Sequence, residues 1–396
     1  MAALVAVLRR GAKLARDTRK RLQRRTKGAR ESAKHAKAQA RQGRDRVRDE
    51  LQHAYTGAVR ATRYVDRLQR RAWTAAAREI SVRRELRLAA AGDGPIIVGP
   101  WLSEVGYEAL YWVPFLRWFA DHYRVSRDRL IVVSRGGVSS WYADVAAHYV
   151  ELLELFDAAE FAARNDARRA SGDQKQMAPG DFDSDIVTRV RQHLGLASVS
   201  VCHPSTMFRL LRHFWLGTES LQQVLDHTRY ALVRPPRGAA PALPPRYAAV
   251  KFYTGRALPD TPAHRAALRA IVARISEEMP VVVLSTGLTL DEHEDYVFRD
   301  VPNVVTLDGV LTPQNNLAVQ TEVIAGATRF VGTCGSVAWL APMLGTETLA
   351  LYADDRFLAP HLYAAGQLFP AMGAARFIPM HLSGLEHLAW PAALAR

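Results

Sequence analysis

The sequence predicts an α/β protein built from two facing Rossmann-like domains, preceded by a basic and mainly helical N-terminal segment. Short apolar runs alternate with helical stretches from residue 95 to about 230, and the same alternation returns from 247 to 352. Between the two blocks, residues 234–246 contain five prolines in thirteen positions. Because no helix or central strand tolerates that density, we expect an interdomain linker there. The predicted division is 1–90, 91–232, 233–246 and 247–396.

The N-terminal segment carries the positive charge of the chain. Residues 1–90 hold 26 of the 53 Lys and Arg but only 8 of the 39 Asp and Glu, so their net charge is +18 and that of the rest is −4. The first proline is Pro95, and Ala, Arg, Lys and Gln favour helix. Such a basic helix buries no core of its own. It fits an anionic membrane surface best, with Leu4, Val5 and Leu8 as a shallow anchor.

Other interpretations of residues 1–90 stay open at this point. The segment could bind nucleic-acid phosphates or be a solvated tail, and its Arg-rich, acid-poor composition also fits a mitochondrial presequence. The mildly acidic remainder argues against nucleic acid as the partner of the whole protein.

The cysteine content and the hydropathy pattern predict a cytoplasmic protein, and the basic segment is the feature that could place it on the inner face of the cell membrane. Cys202 and Cys334 are the two cysteines, which excludes a disulfide framework and favours a reducing compartment. No window approaches 18 consecutive apolar residues. The apolar start precedes Arg9, whereas a secretory signal places its basic residues first.

The first α/β block begins with its most informative stretch. We expect strands over 95–98, 130–134 and 198–202, and helices over 105–120, 141–156, 184–194 and 206–229. A Gly-Pro turn at Gly99 follows the first strand and leads into an apolar helix. Glu104 and Glu108 fall in its first turn on one face. Like charges at that spacing destabilise a helix, so another requirement is expected to select them.

The second block repeats the pattern. We expect strands over 247–253, 281–285, 304–307 and 349–352, and helices over 315–325 and 337–344. Thr261 and Pro262 form an N-cap and first-position pair that opens a helix to about 278. Residues 332–336 (GTCGS) end a further strand, from 329, and open the helix at 337. Their small side chains suit either a phosphate at a helix N-terminus or a plain turn capped by Ser336.

Residues 99–116 (GPWLSEVGYEALYWVPFL) and 331–354 (VGTCGSVAWLAPMLGTETLALYAD), together with 250–260 and 315–320, resemble bacterial glycosyltransferases of the GT-B type over about residues 95–355. The resemblance implies that the C-terminal domain binds a nucleotide sugar and that the N-terminal domain binds a glycan or lipid-linked acceptor, as in the cell envelope. It also implies that helix N-termini and basic side chains, without a metal or other cofactor, stabilise the leaving diphosphate.

Candidate donor residues follow from that chemistry. Lys251 lies inside an apolar strand, where a charge is costly without a partner, and Arg256 follows the same strand. The alternative for both is an ordinary surface position. Further donor contacts are predicted at Thr286, Gly287, Thr333, Gly335, Ser336, Asn316, Gln320 and Asp354.

An inverting transfer needs a base for the acceptor hydroxyl. Glu104 is the first candidate and Glu108 the second, and the alternative is that the helix dipole favours acids there. Gly106, Tyr107 and Arg135 are predicted on the acceptor side. Residues 181–185 (DFDSD) mimic a metal-binding motif but lack a preceding strand, so a helix-capping cluster is preferred. Three dispersed histidines, His203, His293 and His361, are interpreted as structural or surface residues.

Two further functions remain as alternatives. One is a nucleotide-sugar epimerase on the same scaffold. The other is a non-enzymatic scaffold that binds a membrane or nucleic acid through its basic arm.

Overall fold

The computed structural model describes residues 76–172, 175–285 and 294–386, together with residues 20, 26–28, 31, 34 and 37, which are helical. Its compact units are Met1–Ala76 and Ala77–Arg396. Most of the predicted basic segment therefore lies outside the described residues, as do Thr286, Gly287 and His293. Within the described part of the chain, no helix combines the length and hydropathy needed to cross a membrane.

Residues 77–90 are helical (α1) and belong to the second compact unit, Ala77–Arg396, which is called the body below. Val82 and Leu86, one turn apart, are fully buried in its core. On the polar side Arg209 pairs with Glu85. Charge alone groups residues 77–90 with the basic segment, whereas their apolar i, i+4 stripe makes them part of the folded unit.

The first sheet contains four parallel strands in the order β3-β2-β1-β4. Its strands are β1 (Ile96–Val98), β2 (Leu130–Ser134), β3 (His148–Glu151) and β4 (Ser200–Cys202). Helix α2 runs through Val105–Tyr107, a π-helical segment Glu108–Trp112, and Val113–Tyr123. The other helices are α3 (Ala158–Ala170), α4 (Asp181–His193), α5 (Ser205–Trp215) and the short Leu152–Leu155 and Gln222–Leu225, with 3₁₀ turns at Arg127–Arg129 and Val138–Tyr142.

The second sheet contains six parallel strands in the order β10-β9-β8-β5-β6-β7. The strands are β5 (Ala248–Lys251), β6 (Val281–Val283), β7 (Val304–Thr306), β8 (Arg329–Thr333), β9 (Thr348–Tyr352) and β10 (Phe377–His381). Its helices are α6 (Pro262–Glu278), α7 (Asn316–Gly326) and α8 (Ala359–Ala371), with 3₁₀ turns at Ser336–Ala338, Ala341–Leu344 and Leu382–Glu386. The predicted α/β fold class with two Rossmann-like sheets is confirmed.

Both sheets reverse their strand order beside their first strand, between β1 and β4 and between β5 and β8. Ligands of open parallel sheets bind at such switch points, outside the carboxyl ends of the strands. The segments that leave these ends are therefore the ones that build the site described below.

The helix predicted over 141–156 is wrong. Residues 148–151 form the edge strand β3, which pairs with β2 in parallel. Glu151 fixes this edge, since its carboxylate accepts hydrogen bonds from the backbone N–H groups of Gly136 and Gly137 at 3.1 and 2.7 Å. The strand forms because it contacts segments distant in sequence, and the spacing of apolar residues along the chain gives no information about such contacts.

Two other predicted helices are shorter than expected. The helix over 206–229 ends at Trp215, because Gly217 has a φ of +66° and terminates it. The helix over 337–344 is replaced by two 3₁₀ turns, with Ser336 at a φ of +45° and Pro342 lacking an N–H. In contrast, Thr261 caps α6 as predicted, by accepting from the N–H of His264 at 3.1 Å.

One hydrophobic cluster includes residues of both sheets, among them Val98 of the first and Ala249 of the second. Leu317 and Ala318 at the start of α7 donate their backbone N–H groups to the Gly136 carbonyl at 2.9 Å. The indole of Trp141 donates to the Thr321 hydroxyl, also at 2.9 Å. Residues 234–246 contain no helix or strand. The halves are thus joined by packing as well as by the chain between them.

Candidate functional site

A cleft of about 530 Å³ lies at the carboxyl ends of both sheets. One side, the N-terminal wall, comes from the first half of the body and includes Glu104, Gly106, Tyr107, Tyr111, Arg135, Asn165, Arg168, Arg169, Lys175 and Trp215. The other side, the C-terminal wall, includes Tyr253, Arg256, Gly335, Ser336, Trp339, Arg356, Phe357 and His361.

The described residues that line the cleft are strongly cationic. Glu104 is their single carboxylate, whereas the cations number six: Arg135, Arg168, Arg169, Lys175, Arg256 and Arg356. A concave surface lined by one sign of charge concentrates ligands of the opposite sign. The electrostatics therefore favour an anionic ligand.

The two walls meet at the floor of the cleft, where Gly106 packs against the turn after β8. A Cβ on Gly106 would stand 2.9 Å from the Ser336 nitrogen and 3.0 Å from Cδ1 of Trp339. These are closer than side-chain contacts normally allow. The two loops that the sequence predicts on opposite domains are thus brought into contact, and only glycine permits this distance.

The turn at residues 332–336 differs from the predicted phosphate loop. Gly335 has a φ of +138°, and Ser336 opens a 3₁₀ turn of only three residues. On its other side the turn packs against the Tyr253 hydroxyl, which would lie 2.5 Å from a Cβ on Gly335. Gly335 and Ser336 line the cleft, but the long helix whose dipole was expected to act there does not form.

Glu104 lies in the cleft at the N-cap of α2. Its side chain is 55% exposed, and its Oε1 accepts a hydrogen bond from Lys175 Nζ at 2.8 Å. The same ammonium stands 3.6 Å from the centroid of the Tyr107 ring. Lys175 is therefore held by an ion pair and a cation–π contact together.

Glu108 has the opposite environment and does not line the cleft. It is fully buried and accepts hydrogen bonds from the hydroxyls of Ser134 and Tyr142, at 2.5 and 2.6 Å. Burial raises the pKa of its carboxyl to about 7, although these hydrogen bonds oppose the shift. The expectation that both carboxylates share one helix face is wrong, because Glu104 has extended backbone angles and Glu108 begins the π-helical segment.

Arg135 is a buried cation at the edge of the cleft. Only 5% of its surface is exposed, and its guanidinium donates to the carbonyl oxygens of Trp101 and Ser103 at 3.2 and 3.1 Å. Within the described ranges, no carboxylate lies at ion-pair distance from it. Backbone carbonyls after β1 therefore fix its orientation.

Arg168 of α3 is anchored in the same way. Its Nη2 donates to the Leu102 carbonyl at 2.9 Å, and Asn165 Oδ1 accepts from its Nε and Nη2 at 3.1 and 2.9 Å. Three consecutive carbonyls, those of residues 101, 102 and 103, thus hold two guanidinium groups on the N-terminal wall.

His361 joins the two walls. Its Nε2 lies 3.0 Å from the Tyr107 hydroxyl, and its Nδ1 lies 2.7 Å from the Tyr111 hydroxyl. Burial lowers the pKa of the imidazole to about 4 and raises the pKa of both tyrosines. A neutral imidazole donates from one nitrogen and accepts at the other, which matches two hydroxyl partners. The structural interpretation of His361 agrees with these contacts.

The arginines of the C-terminal wall are solvated. Arg256 lies over the Phe357 ring, with its Cζ 5.1 Å from the ring centroid. Arg356 has a side chain that is 79% exposed and pairs with Asp354. Asp354, predicted as a donor contact, is thus a partner of Arg356 and lies outside the cleft lining.

Lys251 and Thr333 lie beneath the cleft. Lys251 Nζ donates to the Leu284 carbonyl at 3.0 Å and to Asp295 Oδ2 at 3.2 Å, so its charge is balanced inside the protein. The Thr333 hydroxyl donates to the Tyr253 carbonyl at 3.1 Å and accepts from the Tyr253 N–H at 3.0 Å. Both side chains connect neighbouring segments of the second sheet.

Asn316 and Gln320 are buried on α7, away from the cleft. Asn316 Nδ2 donates to the Pro313 carbonyl at 2.8 Å, and Gln320 Nε2 lies 3.5 Å from Asn316 Oδ1. The helix packs against the first half of the body, so these amides face protein where a nucleotide was expected.

Residues 181–185 cap a helix, as predicted. Asp183 Oδ2 accepts from the Gly180 N–H at 2.8 Å, and Asp185 pairs with Arg164 at 2.5 Å. No cluster of three His, Cys, Asp or Glu able to hold a metal ion occurs among the described residues.

Sequence reasoning missed much of the N-terminal wall and several residues of the C-terminal wall. Arg168 and Arg169 belong to α3, which was not predicted, although Asp157 and Glu160 carry the spacing of a helix start and Asp157 does cap it. Lys175 lies in a loop far from Glu104 in sequence. Arg356 and His361 lie after β9, where neither α8 nor β10 was predicted.

Strand order and cleft together define an α/β protein with two Rossmann-like sheets and a cationic site between them. No family model and no curated protein matches the chain. Among solved structures, it is similar to a family 9 glycosyl transferase from Veillonella parvula, at 14% identity over 75% of this chain and 90% of the other, with a TM-score of 0.40. It is also similar to ADP-heptose lipopolysaccharide heptosyltransferase II from E. coli, at 12% identity over 74% of this chain and 98% of the other, with a TM-score of 0.39. The kitacinnamycin glycotransferase is 12% identical over 73% of this chain and 86% of its own, with a TM-score of 0.30.

Proposed function

We propose that the chain is a glycosyltransferase that moves a sugar from a nucleotide-sugar donor to a glycan or lipid-linked acceptor. The observation that carries this proposal is the composition of the cleft. Two switch points face one space, six cations line it, and Glu104 is the single carboxylate among the described lining residues. The resemblance of residues 99–116 and 331–354 to GT-B enzymes supports the same assignment.

The C-terminal wall is the proposed donor side. Arg256 and Arg356 are exposed guanidiniums beside the Gly335–Ser336 turn, where a diphosphate can reach both. As the bond between the sugar C1 and the diphosphate oxygen breaks, the electron pair leaves with the diphosphate. Cations aimed at this developing charge lower the barrier without a bound metal.

The N-terminal wall is the proposed acceptor side. In an inverting transfer the acceptor oxygen forms the new bond to C1, and its proton passes to Glu104. Glu104 is exposed and lines the cleft, as this role requires. Glu108 is fully buried and hydrogen-bonded to Ser134 and Tyr142. The ammonium of Lys175 donates to the Glu104 carboxylate at 2.8 Å and restricts its position.

Calorimetric titration of the full chain with UDP, GDP, ADP and dTDP tests the donor assignment. We expect one of these nucleotides to bind, and Arg356→Gln and Arg256→Gln each to weaken binding about tenfold or more, because hydrogen bonds to charged groups contribute about 1.5–3 kcal/mol. Arg212→Gln is the matched control, since Arg212 is exposed and outside the cleft. Binding of none of the four would contradict the proposal.

The corresponding nucleotide sugar then distinguishes transfer from epimerisation. A transferase releases nucleoside diphosphate at a rate that rises with acceptor, and we expect EDTA to leave that rate unchanged. Isomerised donor formed without acceptor would identify an epimerase instead.

A further inference from the structure

We infer that the N-terminal wall contains an anion subsite, and that the acceptor carries a phosphate or carboxylate group which this subsite holds. The inference rests on the proposed function, because it assumes that the donor occupies the C-terminal wall. It adds the chemical class of the acceptor, which the fold does not specify.

The first observation is the state of Arg135. The residue is 95% buried, it belongs to the cleft lining, and its guanidinium donates to two backbone carbonyls at 3.1 and 3.2 Å. A buried cation without a carboxylate at ion-pair distance is costly. Arg135 interacts electrostatically with the buried Glu108, and an anionic ligand entering the cleft would add a partner at ion-pair distance.

The second observation is that the same backbone segment fixes a second guanidinium of the N-terminal wall. Arg168 is held by the Leu102 carbonyl, which lies between the two carbonyls that hold Arg135. Asn165 accepts two hydrogen bonds from the same group and sets its plane. Planar guanidiniums that are oriented before binding match the paired oxygens of a phosphate or carboxylate.

The third observation is that this wall is richer in cations than donor binding requires. Arg256 and Arg356 on the C-terminal wall already offer two positive charges to a diphosphate. Arg169 and Lys175 add two more on the N-terminal wall, beside Glu104. Lys175 is paired with Glu104 and Arg169 with Asp166. Direct contact with an anionic acceptor is therefore assigned to Arg135 and Arg168, with the acceptor hydroxyl near Glu104.

Calorimetric titration of the full chain tests the subsite with three sugars: glucose 6-phosphate, glucuronate and glucose. Each is titrated in the presence of the saturating nucleoside diphosphate identified above. We expect glucose 6-phosphate or glucuronate to bind at least about tenfold more tightly than glucose, since charge-assisted hydrogen bonds are about twice as strong as neutral ones. The stronger of the two identifies a phosphate or a carboxylate as the preferred group.

Variants then locate the subsite. Arg168→Gln and Arg135→Gln should each reduce the preference for the anionic hexose about tenfold and leave the affinity for the nucleoside diphosphate within about threefold. Arg356→Gln should produce the reverse pattern. Arg135→Lys retains the positive charge but lacks the planar pair of N–H donors of a guanidinium, so it should give an intermediate preference.

Two failures are distinguishable. If no nucleoside diphosphate binds, the proposed function is wrong. If the nucleoside diphosphate binds but the wild-type chain shows no preference for an anionic hexose, or if the two compete for one site, the subsite is wrong and the proposed function stands. The wild-type comparison requires no variant, so a poorly folding Arg135→Gln does not remove the test.

Discussion

The two walls of the cleft present cations in different ways. On the N-terminal wall, Arg135 and Arg168 are buried and oriented by the carbonyls of residues 101–103. On the C-terminal wall, Arg256 and Arg356 are exposed, one over an aromatic ring and one beside Asp354. Fixed cations select a ligand of one geometry, whereas solvated cations adapt to different ligands but lose side-chain entropy when they bind. Under the proposed division of the cleft, specificity for the acceptor would therefore be built into the N-terminal wall.

Glu104→Gln should have the largest effect on activity. Removing a general base typically costs about 10²–10⁴-fold in rate. We therefore expect kcat to fall by about that factor while the affinity for the nucleoside diphosphate stays unchanged, as measured by steady-state kinetics and calorimetry. Glu154→Gln, at an exposed site outside the cleft, is the control and should retain wild-type turnover. An unchanged kcat in Glu104→Gln would remove Glu104 as the base.

Gly106→Ala tests the contact between the walls. The new methyl group would stand 2.9 Å from the Ser336 nitrogen, so the floor of the cleft must open. Overpacking of this kind costs about 1–3 kcal/mol, and we expect that loss in urea unfolding together with a fall in transfer activity. Gly366→Ala is the matched control, because nothing lies within 4 Å of its Cβ position in α8. Its stability should rise by about 0.5–1 kcal/mol. Equal behaviour of the two variants would contradict the close contact.

As the pH falls, the contributions of Glu108 and His361 to the free energy of unfolding should change in opposite directions. The pKa of Glu108 is raised from 4.5 to about 7, so its contribution to stability is complete below pH 4.5 and is lost as the pH rises toward 7. The pKa of His361 is lowered from 6.5 to about 4, so its contribution is complete above pH 6.5 and is lost as the pH falls toward 4. Between pH 4.5 and 6.5 the two contributions oppose each other.

Single variants separate these contributions. Relative to wild type, Glu108→Gln should lose stability more steeply as the pH falls from 6.5 to 4.5, and His361→Gln less steeply. Each difference in slope should approach about 1.4 kcal/mol per pH unit. Urea unfolding at three pH values measures it. Parallel curves for all three proteins would contradict these buried environments.

Asp354→Asn should have the smallest effect. Asp354 pairs with an exposed arginine and does not line the cleft, and exposed ion pairs contribute little. We expect the affinity for the nucleoside diphosphate to change by less than about threefold, a range typical of surface ion pairs. A loss above about tenfold would instead indicate direct contact between Asp354 and the donor.

Local sequence signals predicted much of the fold. Apolar runs located β1, β2, β5, β6 and β9, and Thr261 with Pro262 located the start of α6. These features depend on neighbouring residues, so a sequence contains them directly. Strand β3 and helix α8 lacked such signals, because long-range pairing and packing determine them.

The site was less predictable than the fold, and the two glutamates show why. Spacing placed Glu104 and Glu108 together, yet a capping conformation at one and a π-helical segment at the other separate them. Lys251 illustrates the same limit. Its burial correctly implied a partner, but that partner is Asp295, 44 positions away, and not a ligand phosphate. Side-chain partners distant in sequence decide which cations remain available to a substrate.

The most direct test of the central claim is a crystal structure of the full chain with the nucleoside diphosphate selected by calorimetry. If the cleft is divided into a donor wall and an acceptor wall, diphosphate oxygens should lie within about 3 Å of the guanidinium nitrogens of Arg256 or Arg356. The nucleotide should make no contact with Glu104. A diphosphate bound instead to Arg135 and Arg168 would contradict that division, because it would make the N-terminal wall the donor side.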